Sequence, residues 1–141
     1  MNEFIDAHAH LIWPSLYKNI NGVLAKAAQA GIVSIINCGV QLQDFDACVD
    51  LSKRYSCVKN IIGIHPGFSI SDVNNPRVFI DKFHQFKEFF IGIGEIGLDF
   101  LEIKDHQQRA KSEKIFRDML AFASEIKMPV VIHCRNAEKQ T

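Results

Sequence analysis

The chain has 141 residues, of which 48% are hydrophobic, and its 16 basic and 16 acidic side chains give a formal net charge of zero. This length suits one domain, and the balanced charge gives no reason to expect nucleic acid or membrane to bind over the whole surface. No apolar run approaches the roughly 20 residues that span a bilayer, and no signal peptide is evident at the N-terminus. The four cysteines are widely spaced without a C-x-x-C pair, so we predict reduced thiols, mostly in the core, and a cytoplasmic location.

Five short apolar runs, rich in β-branched residues, alternate along the chain with longer amphipathic segments. Their length and composition predict strands. The predicted strands are Phe4–Leu11, Ile32–Asn37, Val58–Ile64, Phe90–Ile96 and Pro129–His133.

Helices are predicted between these strands, because apolar side chains recur there at helical spacing. The segments contain Leu16 to Ala27, Leu42 to Tyr55, a stretch that begins near Pro76, and Asp105 to Lys127. Phenylalanines at positions 79, 83, 86 and 90 follow one helical face, which predicts a place in the core. His84 and His106 fall on predicted helices, and we expect both at the surface.

Alternation of strands and helices predicts an α/β fold with a parallel sheet of about five strands. A doubly wound sheet and a (β/α)8 barrel both remain compatible with this pattern. In either architecture the chemistry collects at the carboxyl ends of the strands.

Polar residues lie at the predicted carboxyl ends of four of the five strands. His8 and His10 close the first strand, and His65 directly follows the third. Glu95 ends the fourth and is followed by Asp99, while His133 ends the fifth and is followed by Arg135. We therefore expect these side chains to share one edge of the sheet.

The stretch FIDAHAHL spaces Asp6, His8 and His10 one residue apart in an apolar strand. Side chains alternate between faces along a strand, so we expect all three on the same face. Buried polar groups need partners, and a divalent metal ion is one candidate. A hydrogen-bond network with the backbone and without a metal is the alternative.

Imidazoles and carboxylates are suitable ligands for a divalent ion, which polarises carbonyl or phosphoryl oxygens and lowers the pKa of bound water. Glycines 92, 94 and 97 around Glu95 indicate a close approach of two backbones or a bend. The chain has no G-x-G-x-x-G that opens a helix after a first strand, no P-loop and no G-x-S-x-G motif. These features favour metal-dependent hydrolysis.

Four stretches in this order resemble the TatD-type family of metal-dependent deoxyribonucleases, which belongs to the amidohydrolase-like TIM barrels. The resemblance extends from Met1 to about Ala137. The matching motifs are D-x-H-x-H (Asp6, His8, His10), G-x-H-P (Gly63, His65, Pro66), G-E-I-G-L-D (Gly94 to Asp99) and I-H-x-R (Ile132, His133, Arg135).

The resemblance implies a role for each matching position. His8 and His10 would bind one metal ion, Glu95 would act in catalysis by bridging two ions, and His133 would bind the second. His65 and Arg135 would lie near the substrate phosphate, with Asp6 and Asp99 supporting the ligands. The ions would be Mg²⁺, Mn²⁺ or Zn²⁺, and the activity would be hydrolysis of DNA phosphodiesters, often as a 3′ exonuclease.

Length is the departure from the family, because such barrels typically run to about 250 residues. The resemblance implies a further His and a catalytic Asp from later strands, which these 141 residues do not contain. We therefore expect a single metal-dependent hydrolase domain over residues 1–141, truncated on its C-terminal side and corresponding to the first five units of a TIM barrel. The sequence is compatible with a fragment of a longer enzyme and with a truncated relative.

Three functions stay open from the sequence. DNA phosphodiester hydrolysis is favoured, and the planar fork of Arg135 suits an anionic substrate. An amidohydrolase-like C–N or ester hydrolase is the second possibility. The third is a catalytically incomplete half that binds a partner or self-associates through open sheet edges.

Overall fold

The structure is a computed structural model that describes residues 2–69 and 75–141. Its five strands form one parallel sheet in the order β1-β2-β3-β4-β5. The bounds are Phe4–Ala9 (β1), Ile32–Gly39 (β2), Val58–Ile62 (β3), Phe90–Asp99 (β4) and Val130–Arg135 (β5). Sequential neighbours confirm the predicted barrel-type sheet, since a doubly wound sheet requires a strand order that reverses.

Helices lie in all four predicted segments between the strands, and one further turn of helix at Pro66–Ser69 was not predicted. Their bounds are Pro14–Tyr17 (α1), Ile20–Gln29 (α2), Phe45–Arg54 (α3), Pro66–Ser69 (α4), Arg77–Phe86 (α5) and His106–Glu125 (α6), with short 3-10 turns at Leu42–Asp44 and Lys87–Phe89. The helix predicted near Pro76 begins at Arg77 with Pro76 as its N-cap. The last helix is capped by Asp105, whose side chain accepts a hydrogen bond from the backbone N–H of Gln108.

The main hydrophobic core lies between the sheet and helices α3, α5 and α6. Phe79, Phe83 and Phe90 are buried there and Phe86 packs against them, which confirms the predicted aromatic stripe. His84 and His106 are exposed, also as predicted. The core therefore holds two strands in place: β3, which precedes His65, and β4, which carries Glu95.

The glycine-rich strand β4 approaches β5 very closely. Gly97 has φ +146°, and a Cβ at this position would overlap the carbonyl of His133. Only glycine tolerates that contact and that backbone conformation. The structure thus explains the glycine pattern around Glu95, and it extends β4 to Asp99, three residues beyond the predicted end.

The sheet is strongly curled, because β1 contacts β4 across it. In a flat sheet three strand spacings would separate these strands by about 14 Å. Instead, His8 Nε2 lies 3.3 Å from the Glu95 carboxylate. The sheet is therefore the curled part of a barrel, with side chains of distant strands meeting on its inner face.

β1 and β5 are the two outer strands of the sheet and carry exposed apolar side chains, among them Ile5 (65% exposed) and Ile132 (45%). All four cysteines are free thiols. Cys38 and Cys48 are buried as predicted, whereas Cys57 is half-buried and Cys134 is exposed. Within residues 2–69 and 75–141, the helices are too short or too polar to cross a membrane.

Candidate metal centre

The carboxyl edge of the sheet brings together five of the polar residues predicted from the sequence. His8 lies in β1 and His10 one residue after it, His65 follows β3, Glu95 lies in β4, and His133 lies in β5. Their ligand atoms form two groups that share Glu95, one with His8 and His10 and one with His65 and His133. The curl of the sheet is what makes the two groups contiguous.

The first group has the dimensions of a metal site. His8 Nε2 lies 3.3 Å from His10 Nε2 and 3.3 Å from Glu95 Oε2, and His10 Nε2 lies 3.6 Å from the same oxygen. Ligands of a tetrahedral ion at about 2.0–2.1 Å lie about 3.4 Å from one another. These three donors therefore fit around one divalent ion with little rearrangement.

The ring of His10 is held in place from two sides. Its Nδ1 lies 3.0 Å from the carbonyl oxygen of Cys38, to which Nδ1–H donates, and this leaves a lone pair on Nε2. The Trp13 ring stacks on one face of the His10 ring, with centroids 4.5 Å apart and planes 9° apart. Buried Asn37 accepts a hydrogen bond from the backbone N–H of Leu11 at 2.8 Å, which anchors the chain just after His10.

The second group is built around the other oxygen of Glu95. His133 Nδ1 lies 3.3 Å from Glu95 Oε1 and 3.2 Å from His65 Nε2. The two oxygens of one carboxylate thus face two separate sets of imidazole nitrogens. Such a carboxylate can bridge two ions.

Asp99 fixes the orientation of His133. Its fully buried carboxylate lies 3.0 Å from His133 Nε2, so that Nε2–H donates and Nδ1 keeps its lone pair toward Glu95. Burial by itself raises the pKa of Asp99, but hydrogen bonds from Arg135, the Glu102 N–H and His133 outweigh it and lower the pKa to about 2. Asp99 is therefore ionised and can only accept hydrogen bonds.

His65 presents a hydrogen-bond donor to the site. The backbone N–H of Gly67 donates to His65 Nδ1 at 2.9 Å, which in the neutral ring places the proton on Nε2. Burial, and then the neighbouring His133, lower the pKa of His65 to about 4. The ring is therefore neutral near pH 7, and its Nε2–H points toward the second group rather than offering a lone pair.

Arg135 contacts carboxylates in this structure. Its Nε and Nη2 donate to Asp99 at 2.7–3.1 Å, and Nη2 also donates to Glu102 at 3.0 Å. This fork–fork pairing holds Asp99 in place behind His133. A contact of Arg135 with substrate remains a prediction.

Asp6 accepts a hydrogen bond from the backbone N–H of His8 at 3.1 Å. The pairing of β1 with β2 shifts register between Asp6 and Ala9, so the strand is irregular where the sequence pattern assumed strict alternation. The contact shapes the backbone that carries His8, and the wider supporting role predicted for Asp6 stays a prediction.

Cys38, Trp13 and Glu102 also contact residues of the site, although the sequence pattern does not predict them. Cys38 lies next to the carboxyl end of β2, at the same edge as the ligands, and this position was the signal that could have identified it. Trp13 and Glu102 each follow a selected residue, His10 and Asp99, by three positions. Proximity in sequence alone does not show that their side chains turn back to the site.

A curled parallel sheet with histidines and carboxylates at its carboxyl edge is typical of metal-dependent hydrolases built on TIM barrels. Within that class, the family described as "TatD related DNase" matches residues 5–141, so the chain belongs to this family. Tatdn3 of Danio rerio is 32% identical over 147 residues and is aligned over 98% of this chain and 55% of its own length. The "3'-5' ssDNA/RNA exonuclease TatD" of Citrobacter koseri is 28% identical over 135 residues, covering 94% of this chain and 50% of that protein.

A solved structure shows the same fold. The TatD homologue YjjV from Escherichia coli K12 superposes with a TM-score of 0.86 at 27% identity, over 97% of this chain and 52% of that one. The chain thus spans about half the length of the relatives it matches.

Proposed function

We propose that this chain forms part of the active site of a metal-dependent hydrolase that cleaves DNA phosphodiester bonds. The activity of this hydrolase would be that of a 3′ exonuclease, as in the name of the Citrobacter koseri relative. The observation that supports this most directly is the position of Glu95. One of its oxygens faces His8 and His10, and the other faces His133. A carboxylate shared in this way suits two ions at adjacent positions.

The proposed ligand sets follow from the imidazole nitrogens that face each oxygen of Glu95. His8, His10 and Glu95 would hold one ion, and Glu95 with His133 would hold the second, with Zn²⁺, Mn²⁺ and Mg²⁺ as candidates. Bound divalent ions supply a polarised phosphoryl oxygen and a water of lowered pKa. Glu95, the proposed catalytic residue, fixes the distance between the two sets.

The remaining residues would orient the ligands and the substrate. Asp99 keeps the proton of His133 on Nε2, and Asp6 supports the backbone at His8. His65 would donate its Nε2–H to a phosphate oxygen. Arg135 would contact substrate by exchanging its ion pair with Glu102, which is 62% exposed, for a phosphate oxygen. Its ion pair with Asp99 would be retained.

Metal stoichiometry tests the ligand assignment. We expect equilibrium dialysis followed by elemental analysis to find two Zn²⁺ or Mn²⁺ ions per chain. His133→Ala should lose one, and the double change of His8 and His10 to Ala should lose the other. His84→Ala is the matched control, because His84 is exposed on α5. Equal metal content in all variants would contradict the assignment.

A substrate panel tests the reaction class, with labelled single-stranded DNA compared against cyclic amides and esters. We expect release of mononucleotides that a chelator abolishes. Activity on amides or esters alone would instead support the C–N or ester hydrolase, since metal-activated water attacks carbonyls as well.

We further propose that these 141 residues alone are at best weakly active. The chain spans about half of its relatives' length, and the family resemblance implies a general base on later strands that these 141 residues do not include. Loss of a positioned general base typically costs about 10²–10⁴ in rate. Strong chelator-sensitive nuclease activity from a monodisperse monomer would contradict this proposal.

Self-association of this chain is proposed from its sheet edges. The outer strands expose Phe4 (55%), Ile5 (65%), Val130 (36%) and Ile132 (45%), and unpaired strand edges promote pairing with another chain. We expect Ile5→Lys to reduce the association seen by sedimentation velocity, whereas Val78→Lys on α5 should not. A monomer at all concentrations would rule the proposal out.

The four free thiols support a reducing compartment, for which we propose the cytoplasm.

A further inference from the structure

Cys38 lies among the proposed ligands of the first ion. Its sulfur and the ligand atoms of His8, His10 and Glu95 all lie within 4.8 Å of one another. Cys38 is 0% exposed and sits in β2, one residue before the strand ends. Its own carbonyl oxygen is the acceptor that orients His10, so the backbone of Cys38 is already part of the site.

The Cys38 sulfur lies beside polar groups of the site. Its hydrogen bond is long, 3.9 Å to the carbonyl of Gly39. The Glu95 carboxylate belongs to the same cluster, with its ligand atom within 4.8 Å of the Cys38 sulfur. A divalent cation between the two would attract both groups.

We propose that Cys38 Sγ is a fourth protein ligand of the ion held by His8, His10 and Glu95. This inference rests on the metal binding proposed above and specifies the ion. A set of one thiolate, two imidazoles and one carboxylate selects Zn²⁺ over Mg²⁺, because soft sulfur disfavours hard cations. Binding forms a metal–sulfur bond, breaks the S–H bond and releases one proton to solvent.

The required movement is small. Zn–S and Zn–N bonds of about 2.3 and 2.0–2.1 Å place sulfur and nitrogen about 3.6 Å apart in a tetrahedron. The 4.8 Å limit on the cluster therefore leaves at most about 1 Å to close.

The second donor group contains no sulfur. His65, Glu95 and His133 are its members among the described residues. The two groups would therefore differ in preference, with a thiophilic ion on the Cys38 side and a harder ion such as Mn²⁺ accepted on the His133 side.

Cobalt substitution tests this inference without an activity assay. Co²⁺ occupies Zn²⁺ sites, and a thiolate ligand adds a charge-transfer absorption in the near ultraviolet to its visible bands. We expect this absorption in the unmodified chain, and its complete loss in Cys38→Ser and Cys38→Ala with the visible bands retained. Cys48→Ser is the matched control, because Cys48 is equally buried but its sulfur lies 3.4 Å from the amide of Asn37.

The outcomes separate this inference from the one on which it depends. Visible Co²⁺ bands without a charge-transfer absorption, or an absorption that persists in both Cys38 variants, would overturn the thiolate ligand and leave the metal site standing. No Co²⁺ bands at all would overturn both. Loss of the absorption in Cys48→Ser as well would also count against Cys38, and circular dichroism on every variant identifies any that fails to fold.

Discussion

Replacement of Asp99 by asparagine should weaken both the fold and the metal site. The two oxygens of Asp99 accept hydrogen bonds from Arg135, His133 Nε2 and the backbone N–H of Glu102. All of these partners are donors. An asparagine keeps one oxygen but turns an NH2 group toward donors on the other side, and it removes the negative charge.

The size of the effect follows from the burial of Asp99. Removing one partner of a buried ion pair typically costs about 3–5 kcal/mol. Asparagine retains one acceptor and Arg135 is 44% exposed, so water compensates part of the loss and we expect about 2–3 kcal/mol. For a chain of this size each kcal/mol lowers the melting temperature by about 3–4 °C, which gives about 6–12 °C.

Thermal unfolding followed by circular dichroism in the presence of chelator measures this loss. Glu102→Gln is the control, because Glu102 contacts the same Arg135 from an exposed position and should shift the midpoint by less than about 2 °C. His133 should also lose its fixed tautomer in Asp99→Asn, which typically lowers metal affinity by about 10–100-fold. A variant that melts within 2 °C of the original chain, or a control that loses as much, would refute this reasoning.

Three further outcomes are expected. Trp13 is the only tryptophan and stacks on His10, so Zn²⁺ should change its fluorescence reversibly, and His10→Ala should abolish that response. Zn²⁺ at about 100 times its dissociation constant should stabilise the fold by about 2.7 kcal/mol, read as a higher melting temperature that a chelator reverses; an unchanged midpoint would contradict binding to the folded chain. Gly97→Ala should cost more than about 3 kcal/mol in chemical unfolding, because its Cβ would overlap the carbonyl of His133 at φ +146°. Gly22→Ala in α2, where the new Cβ would meet only the movable side chain of Asn19, should unfold near the original midpoint.

The fold could be predicted from the sequence because its signals are periodic. Alternating strand and helix patterns fixed the parallel sheet, and the phenylalanines of α5 fixed which face of that helix is buried. Strand ends were less accurate, since β1 ends at Ala9 rather than Leu11 and β4 continues to Asp99. Residues such as Gly97 obscure the end of β4, because glycine normally weakens a strand but here permits its contact with β5.

The site could be predicted only as a set of residues at one edge. Their places at strand ends predict that His133 and Asp99 share one edge of the sheet, but not which imidazole nitrogen faces Asp99 and which faces Glu95. Arg135 pairs with Asp99 and Glu102. This pairing depends on side-chain conformations that are selected by packing in three dimensions. The sequence predicts Cys38 only as a core residue, because a buried thiol has the same sequence signal whether it packs or binds a metal.

The curl of the sheet connects metal binding to folding. His8 in β1 and Glu95 in β4 are far apart along the chain, yet their side chains meet at 3.3 Å across the inner face. An ion held by both would join these two distant segments only in the folded chain, so its binding free energy adds to the stability of the fold. It would also hold β1 in the curled sheet. β1 is an outer strand, and its Ile5 is 65% exposed. Metal binding by His8, His10 and Glu95 would therefore stabilise the curled form of the sheet, in which the two donor groups lie next to each other.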